Sequence, residues 1–192
     1  MKAEKLKRLL DPFPAHDIEW RVASAGKTNR GLWVKVLAYI TARAGQERLD
    51  EVFGQLGWQT EYRFGTYHDG DKLKEGVICR LGVQDGTWWV WKEDGAQCTD
   101  FEPWKGGISD AFKRVCASGL GIGRYLYFLS ETFAMCSEDK KAGYRYGKTY
   151  DRKSKEWISF WWDVPSEALP EWALPGGEGK PPVSPIESGE WK

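Results

Sequence analysis

The stretch WQTEYRFGTYHDGDKLKEGVICRLGVQDGTWWVWKEDG, residues 58–95, decides the fold. Three runs rich in β-branched and aromatic residues, Trp58–Tyr67, Lys74–Val83 and Thr87–Lys92, are separated by HDGD at 68–71 and QDG at 84–86. Asp-Gly between such runs favours tight hairpin turns, so the stretch reads as an antiparallel meander.

Helical patterns flank it. On the C-terminal side, Ile108, Ala111, Phe112, Val115 and Gly119 fall within a narrow arc at helical periodicity, predicting a helix over Trp104–Ser118. Lys113 and Arg114 are expected to project from its far side, with Asp110 between them. On the N-terminal side, TARAGQERLDEVFG (41–54) leads into a stripe of small or apolar residues at 42, 45, 49, 52, 53 and 56, and Gly54 is placed to cap it. Further out, Ile18–Ser24 and Trp33–Ile40 read as strands joined by AGKTNRG. Residues 2–11 read as a helix with Leu6, Leu9 and Leu10 on one side. YRYGKTYDRKSKEWISFWWDV (144–164) reads as a hairpin turning near Asp151–Ser154. The predicted class is α+β: a β-β-α-β-β-β-α core with helices packed on antiparallel sheet. Residues 1–164 are expected to form one domain with its C-terminal hairpin. Residues 165–192, which hold six of the nine prolines, should be a mostly disordered acidic tail.

The 28 basic and 28 acidic residues balance, but not evenly along the chain. Residues 163–192 take six acids and two bases, leaving 26 bases against 22 acids in a mildly basic remainder. Twelve tryptophans is a high count. Trp88–Trp89 and Trp161–Trp162 put an indole on each face of a strand, so one of each pair should be covered by a second layer or a neighbouring subunit. No run of 18 apolar residues occurs, and the charged start MKAEKLKRLLDPFPAH lacks a signal peptide's apolar region, so the expectation is a cytoplasmic protein with no membrane partner. Cys79, Cys98, Cys116 and Cys136 form no CxxC pair, and His16 and His68 lie far from them. Free thiols are expected, with no metal.

GLGIGRYLY (119–127) is GxGxG after a helix, which does not match a dinucleotide fingerprint; no phosphate-cradling GxxxxGK[ST] occurs either. The string reads as a helix terminator, with Arg124 beside two tyrosines keeping a DNA role open. Asp50–Glu51 and Asp69/Asp71 are neighbouring acids in helix and turn contexts, and no nucleophile motif is present, so neither an enzyme nor a cofactor is expected. Lys105, Lys113, Arg114 and Arg124 surround the helix after the meander, opposed only by Asp110; a plain solvated face would look the same. In YRYGKTYDRKSKEW (144–157), five bases and two acids are interleaved with four aromatics. Strand alternation places Tyr144, Tyr146, Lys148 and Tyr150 on one face and Arg145 on the other. That suits bases stacking on rings with cations against phosphates, although the aromatics could equally face the core.

IEWRV (18–22), WVKVLAYITARAGQERLDEVFGQLGW (33–58), GVICRLGV (76–83) and GGISDAFKRVCASGLGIGRYLY (106–127) together resemble the Rad52 family of single-strand annealing proteins, and its bacterial and phage members most. PFPAH (12–16) and the length also resemble the DNA-damage-response branch, which protects DNA ends. The resemblance covers about residues 12–130. It implies a homo-oligomeric ring with single-stranded DNA in a basic groove. It implies that Lys113 and Arg114 line an inner groove, that Arg21 from the first strand joins them, and that Lys72 belongs to an outer site, with Lys74 fitting after a small shift. One departure stands out: an additional residue at Ser118–Gly119–Leu120, which a bulge would absorb while re-aiming Arg124.

The expected function is therefore ATP-independent annealing of complementary single strands in recombination or repair. The alternatives are a ring that protects DNA ends without annealing and a metal-dependent nuclease. The tail is expected to compete for the groove, to recruit a single-strand-binding protein or other recombination partner, or to be inert.

Overall fold

A computed structural model describes residues 3–99, 102–129, 132–151 and 155–179. Along the chain the elements run α1 (Ala3–Leu9), β1 (Ile18–Thr28), β2 (Gly31–Ile40), α2 (Ala42–Phe53), β3 (Trp58–Asp69), β4 (Lys72–Asp85), β5 (Trp88–Gln97), α3 (Pro103–Val115), β6 (Thr132–Phe133), β7 (Met135–Ser137), β8 (Arg145–Asp151) and β9 (Glu156–Asp163). The class is α+β with antiparallel sheets, as the sequence predicts. The elements divide into two compact units: Met1–Asp17 with Ile40–Tyr125, and Ile18–Tyr39 with Leu126–Lys192.

In the first unit, two turns set the meander. Asp69 pairs with Lys72 and Asp85 with Trp88, leaving the two-residue loops Gly70–Asp71 and Gly86–Thr87. Gly70 (φ 60°) and Gly86 (φ 65°) take the left-handed conformation at the first loop position, the arrangement that matches strand twist. From there the register runs unbroken through a β3-β4-β5 sheet. Val77, Cys79, Leu81 and Val83 alternate onto one face and are buried. Helix α3 packs on that face through Ala111, Phe112 and Val115, its Trp104 ring stacked on Phe64 at 4.7 Å. The approach is close enough that a Cβ on Gly107 would stand 2.8 Å from Val77 Cγ2.

Helix α2 is capped as its sequence requires. The Thr41 hydroxyl accepts from the Ala44 N–H at 3.0 Å, and Gly54 N–H returns to the Asp50 carbonyl at 2.8 Å. Arg48 on this helix is buried, which its charge did not suggest. Its guanidinium donates to the Arg8 and Asp11 carbonyls (2.9 and 2.8 Å) and lies 4.1 Å from the Phe13 ring centre, so it satisfies the end of α1. Of the leucines expected on one side of this helix, Leu9 is buried and Leu6 is exposed, while Leu10 falls just past the end of α1 and is exposed.

In the second unit, β1-β2-β6 and β7-β9-β8 form two sheets. The segment 132–137 serves both: Thr132 and Phe133 pair with β2, and after Ala134 the chain crosses to pair with β9. Val34, Val36, Ala134, Phe160 and Trp162 form the buried cluster here. Strand β1 extends four residues past its expected end, because the turn is confined to Asn29–Arg30, where the Arg30 N–H donates to the Thr28 hydroxyl.

Trp162 is buried while Trp161 is half-buried, as alternation requires; Trp88 and Trp89 are both exposed within the chain, the case for which the expectation names a neighbouring subunit as cover. Two further expectations need correction. Helix α3 ends at Val115, not Ser118, and passes into a π-turn. The stretch from Pro165, expected to be mostly disordered, forms 3-10 turns at Ser166–Ala168 and Glu171–Ala173, with Ala173 fully buried. Pro165 and Pro170, each just before a turn, pre-set the backbone there. Residues 180–192 lie outside those described.

Candidate nucleic-acid interface

Helix α3 carries three of the expected cations, and each has an acidic neighbour. Lys105 Nζ stands 3.0 Å from Glu102 on the exposed first turn. Lys113, expected to project into solvent, is instead 7% exposed and paired with Asp110 at 2.9 Å. The two lie three residues apart, so the lysine stem folds along the helix. Arg114 is half-exposed; its guanidinium reaches Asp94 on β5 at 3.0 Å. Burial pushes the Asp94 carboxyl up, but hydrogen bonds from Ser118, the Gly95 N–H and Arg114 outweigh it and hold the group below the usual carboxylate range. Of the resemblance-implied pair, Arg114 therefore has the solvent-facing surface and Lys113 is an internal ion pair.

The additional residue at 118–120 has a structural answer. Cys116–Leu120 is one turn of π-helix, the form that absorbs a single inserted residue. Gly121 (φ 81°) then turns the chain, and the Gly121 and Ile122 N–H groups donate back to Ala117 and Cys116. Arg124 is re-aimed by this turn: its Nε and Nη2 donate to the Ala117 and Ser118 carbonyls, both at 2.7 Å. It caps the widened helix end.

On the other face of the meander, residues missed by the sequence reading form a row. Arg80 faces Glu61 and Glu93 across the strands (3.1 and 3.5 Å), Glu93 also meets Arg63 at 2.6 Å, and the Arg80 guanidinium lies 4.1 Å from the Trp91 ring centre. The two Asp-Gly loops were the available signal, since counting back from each places Glu61, Arg80 and Glu93 side by side. Lys72 is exposed at the start of β4 opposite Asp69; Lys74 is half-buried opposite Tyr67.

The second unit carries the remaining candidates, on two faces of β8 and on β1. Arg145 donates to the Trp20 carbonyl at 3.2 Å, which sets β8 against the strand that carries exposed Arg21. Its guanidinium also lies 4.6 Å from the Trp162 ring centre. Lys148 is on the opposite face of β8, its Nζ 5.1 Å from the Trp157 ring centre. Within β8 the alternation read from the sequence is thus correct, Tyr144 lying just before the strand, and Tyr146, Tyr150 and Trp157 face outward: they are 58%, 47% and 65% exposed.

Among the described residues, no three His, Cys, Asp or Glu side chains converge as a metal site, and no helix is long and apolar enough to cross a membrane. All four cysteines are free. Burial pushes the Cys79 thiol up to about 11 and raises Cys116 well above its ordinary value.

The chain is thus an α+β protein with a cation-bearing helix packed on an antiparallel meander. Residues 2–145 match the Rad52/22 family of double-strand break repair proteins, and the chain belongs to that family. Among its relatives is the single-stranded DNA-binding protein DdrA of Deinococcus radiodurans, 33% identical over 178 residues that span 91% of this chain and 70% of the relative. The DdrA of Deinococcus deserti is 34% identical over 180 residues, spanning 91% and 72%.

Proposed function

We propose that this chain binds single-stranded DNA and anneals complementary strands in recombination or repair, as a homo-oligomeric ring in the bacterial cytoplasm. One observation carries the reading: two relatives aligned over nine-tenths of this chain bear the name single-stranded DNA-binding protein, and the family match spans the meander and α3. Arg114, Lys105 and Lys72, exposed on the first unit, would contact phosphates, and Arg21 and Arg145 would do so on the second. Arg124 and Lys113 support the helix that presents Arg114.

The mechanism needs no chemical step. Each phosphate contact releases condensed counterions, and repetition around a ring multiplies a modest grip. With the backbone held and bases left free, a second strand tests its pairing; matched bases stack and stay. Pairing supplies the free energy, so neither ATP nor a catalytic metal is required. The protein adds no sequence preference, because phosphate contacts carry none. Trp88 and Trp89, exposed on the two faces of β5, and exposed Trp104 on α3 fit an oligomer in which a second copy covers some of them. Residues 1–164 would form the annealing part, with 165–192 as an acidic appendage.

A ring that protects DNA ends without annealing would use the same contacts. Annealing of labelled complementary oligonucleotides, run beside digestion of one of them by an added exonuclease, separates the two. Acceleration of annealing is the expected result. Protection with no acceleration would replace annealing by end capping, and neither effect, with no binding, would overturn both.

A further inference from the structure

We propose that the outward face of the β8–β9 hairpin is a base-stacking platform for single-stranded nucleic acid, separate from the phosphate contacts on α3. The inference rests on the single-stranded DNA reading above and adds to it a second mode of contact.

The register fixes the composition of that face. Tyr146 lies opposite Trp161, Lys148 opposite Ser159 and Tyr150 opposite Trp157. Cross-strand partners share a face and alternate residues repeat it, so these six side chains stand together while Phe160 and Trp162 turn to the core. The face is a ladder of an aromatic pair, a lysine with a serine, and a second aromatic pair. The rings of each pair meet edge to face, with centroids 5.4 and 5.6 Å apart. A four-residue rise separates the pairs by ~13 Å.

Three properties select nucleic acid as the occupant. First, the rings are exposed yet held in place. Tyr146 Oη and Ser159 Oγ are 2.9 Å apart, and each tyrosine is braced by an indole, so little side-chain freedom remains to be lost on binding. Second, the cation lies among the rings: Lys148 Nζ sits over the Trp157 indole, where it can meet the phosphate of a nucleotide stacked beside it. Third, residues 144–157 carry five bases against two acids, which favours a polyanion over an apolar protein surface. The strands lie at and beyond residue 145, where the family match ends, so this platform belongs to the part of the chain that the family pattern does not describe.

The test compares an oligothymidylate with an abasic oligonucleotide of equal length, which keeps the phosphates and lacks the bases. Binding to the full chain is followed by fluorescence anisotropy across a salt series. The unaltered protein should prefer the base-bearing strand by about tenfold or more, from at least one stacked base. The triple variant Tyr146→Ser, Tyr150→Ser, Trp157→Ser should lose that preference yet keep its affinity and salt slope on the abasic strand. Tyr146→Phe with Tyr150→Phe should retain the preference. Retention by the serine variant, or equal binding of both strands by the unaltered protein, would overturn the platform while leaving phosphate binding intact. Failure to bind either strand would overturn the single-stranded DNA reading itself, and the platform with it. A measurement without substitution guards against misfolding: photocrosslinks from iododeoxyuridine should map to Tyr146, Tyr150 or Trp157, and crosslinks found only elsewhere would overturn the proposal.

Discussion

Helix α3 and the β8–β9 hairpin are both basic and both aromatic, but they arrange those residues in opposite ways. On α3 each cation is matched by an acid, Lys105 by Glu102, Lys113 by Asp110 and Arg114 by Asp94, and of its two rings Phe112 is buried while exposed Trp104 lies flat on Phe64 with no cation over it among the described residues. On the hairpin's outward face the rings are exposed and the cation leans on an indole. Charge held by partial pairing gives contacts that weaken with salt. Exposed, braced rings give contacts that salt scarcely touches. The difference shows that counting bases and aromatics cannot assign a contact mode; the partner of each side chain does.

The largest expected effect is at Lys113. Lys113→Ala should lower stability by about 2 kcal/mol, because it strips the ion partner from a largely covered Asp110 carboxylate. Arg114→Ala, at the next position but half-exposed, should cost under ~0.5 kcal/mol. Urea unfolding of the two variants measures both, and equal losses would contradict the burial difference. Asp110→Ala combined with Lys113→Ala should recover part of the loss, since no charge is then left alone.

A smaller effect separates the two modes in binding. Lys105→Ala and Arg114→Ala should each reduce single-stranded DNA affinity about fivefold at ~0.1 M salt and flatten the salt slope by ~0.7, one phosphate contact apiece. An unchanged slope in both would remove α3 from the interface. Asp94→Asn should tighten binding slightly by releasing Arg114. The pH dependence follows from the sign of the shift. The Asp94 carboxyl is held low, so its pairing with Arg114 is intact above the usual carboxylate value near ~4 and is lost only as pH falls through the depressed value. Binding measured from neutral pH down to about 5 should therefore show no step from this group.

The smallest effect is chemical. Burial and raised thiol values predict that iodoacetamide labels the half-buried Cys98 and Cys136 before Cys79 and Cys116 in the folded protein. Mass spectrometry of a time course reads the order directly. Early labelling of Cys116 would contradict the packing of α3 on the meander.

Much of this was legible in the residues, and the physical reasons for success and failure differ. Gly54 and the two Asp-Gly loops act within a few residues, so α2 and the meander could be located from local chemistry alone; the Thr41 cap is equally local but was missed. The alternation in YRYGKTY gave the hairpin's two faces for the same reason. The burial of Lys113 was not legible: a helical wheel puts it beside Arg114, and although its ion partner Asp110 is only three residues away, only the packed structure shows that one cation is covered and the other open. Pairing of Val36 with Thr132 joins positions far apart in the chain, and no nearby residue announces it. The π-turn at 116–120 was visible only as a spacing anomaly against related sequences, and its consequence for Arg124 required coordinates.

Annealing without a chemical step should proceed in EDTA and in the absence of nucleotide, and its rate under those conditions is the decisive measurement. Fluorescence quenching of two labelled complementary oligonucleotides should accelerate when the full chain is added, and non-complementary strands should show no such change. A strict requirement for ATP or Mg²⁺ would contradict the mechanism. Mild stimulation by Mg²⁺ would not, because the ion also screens the two strands from one another.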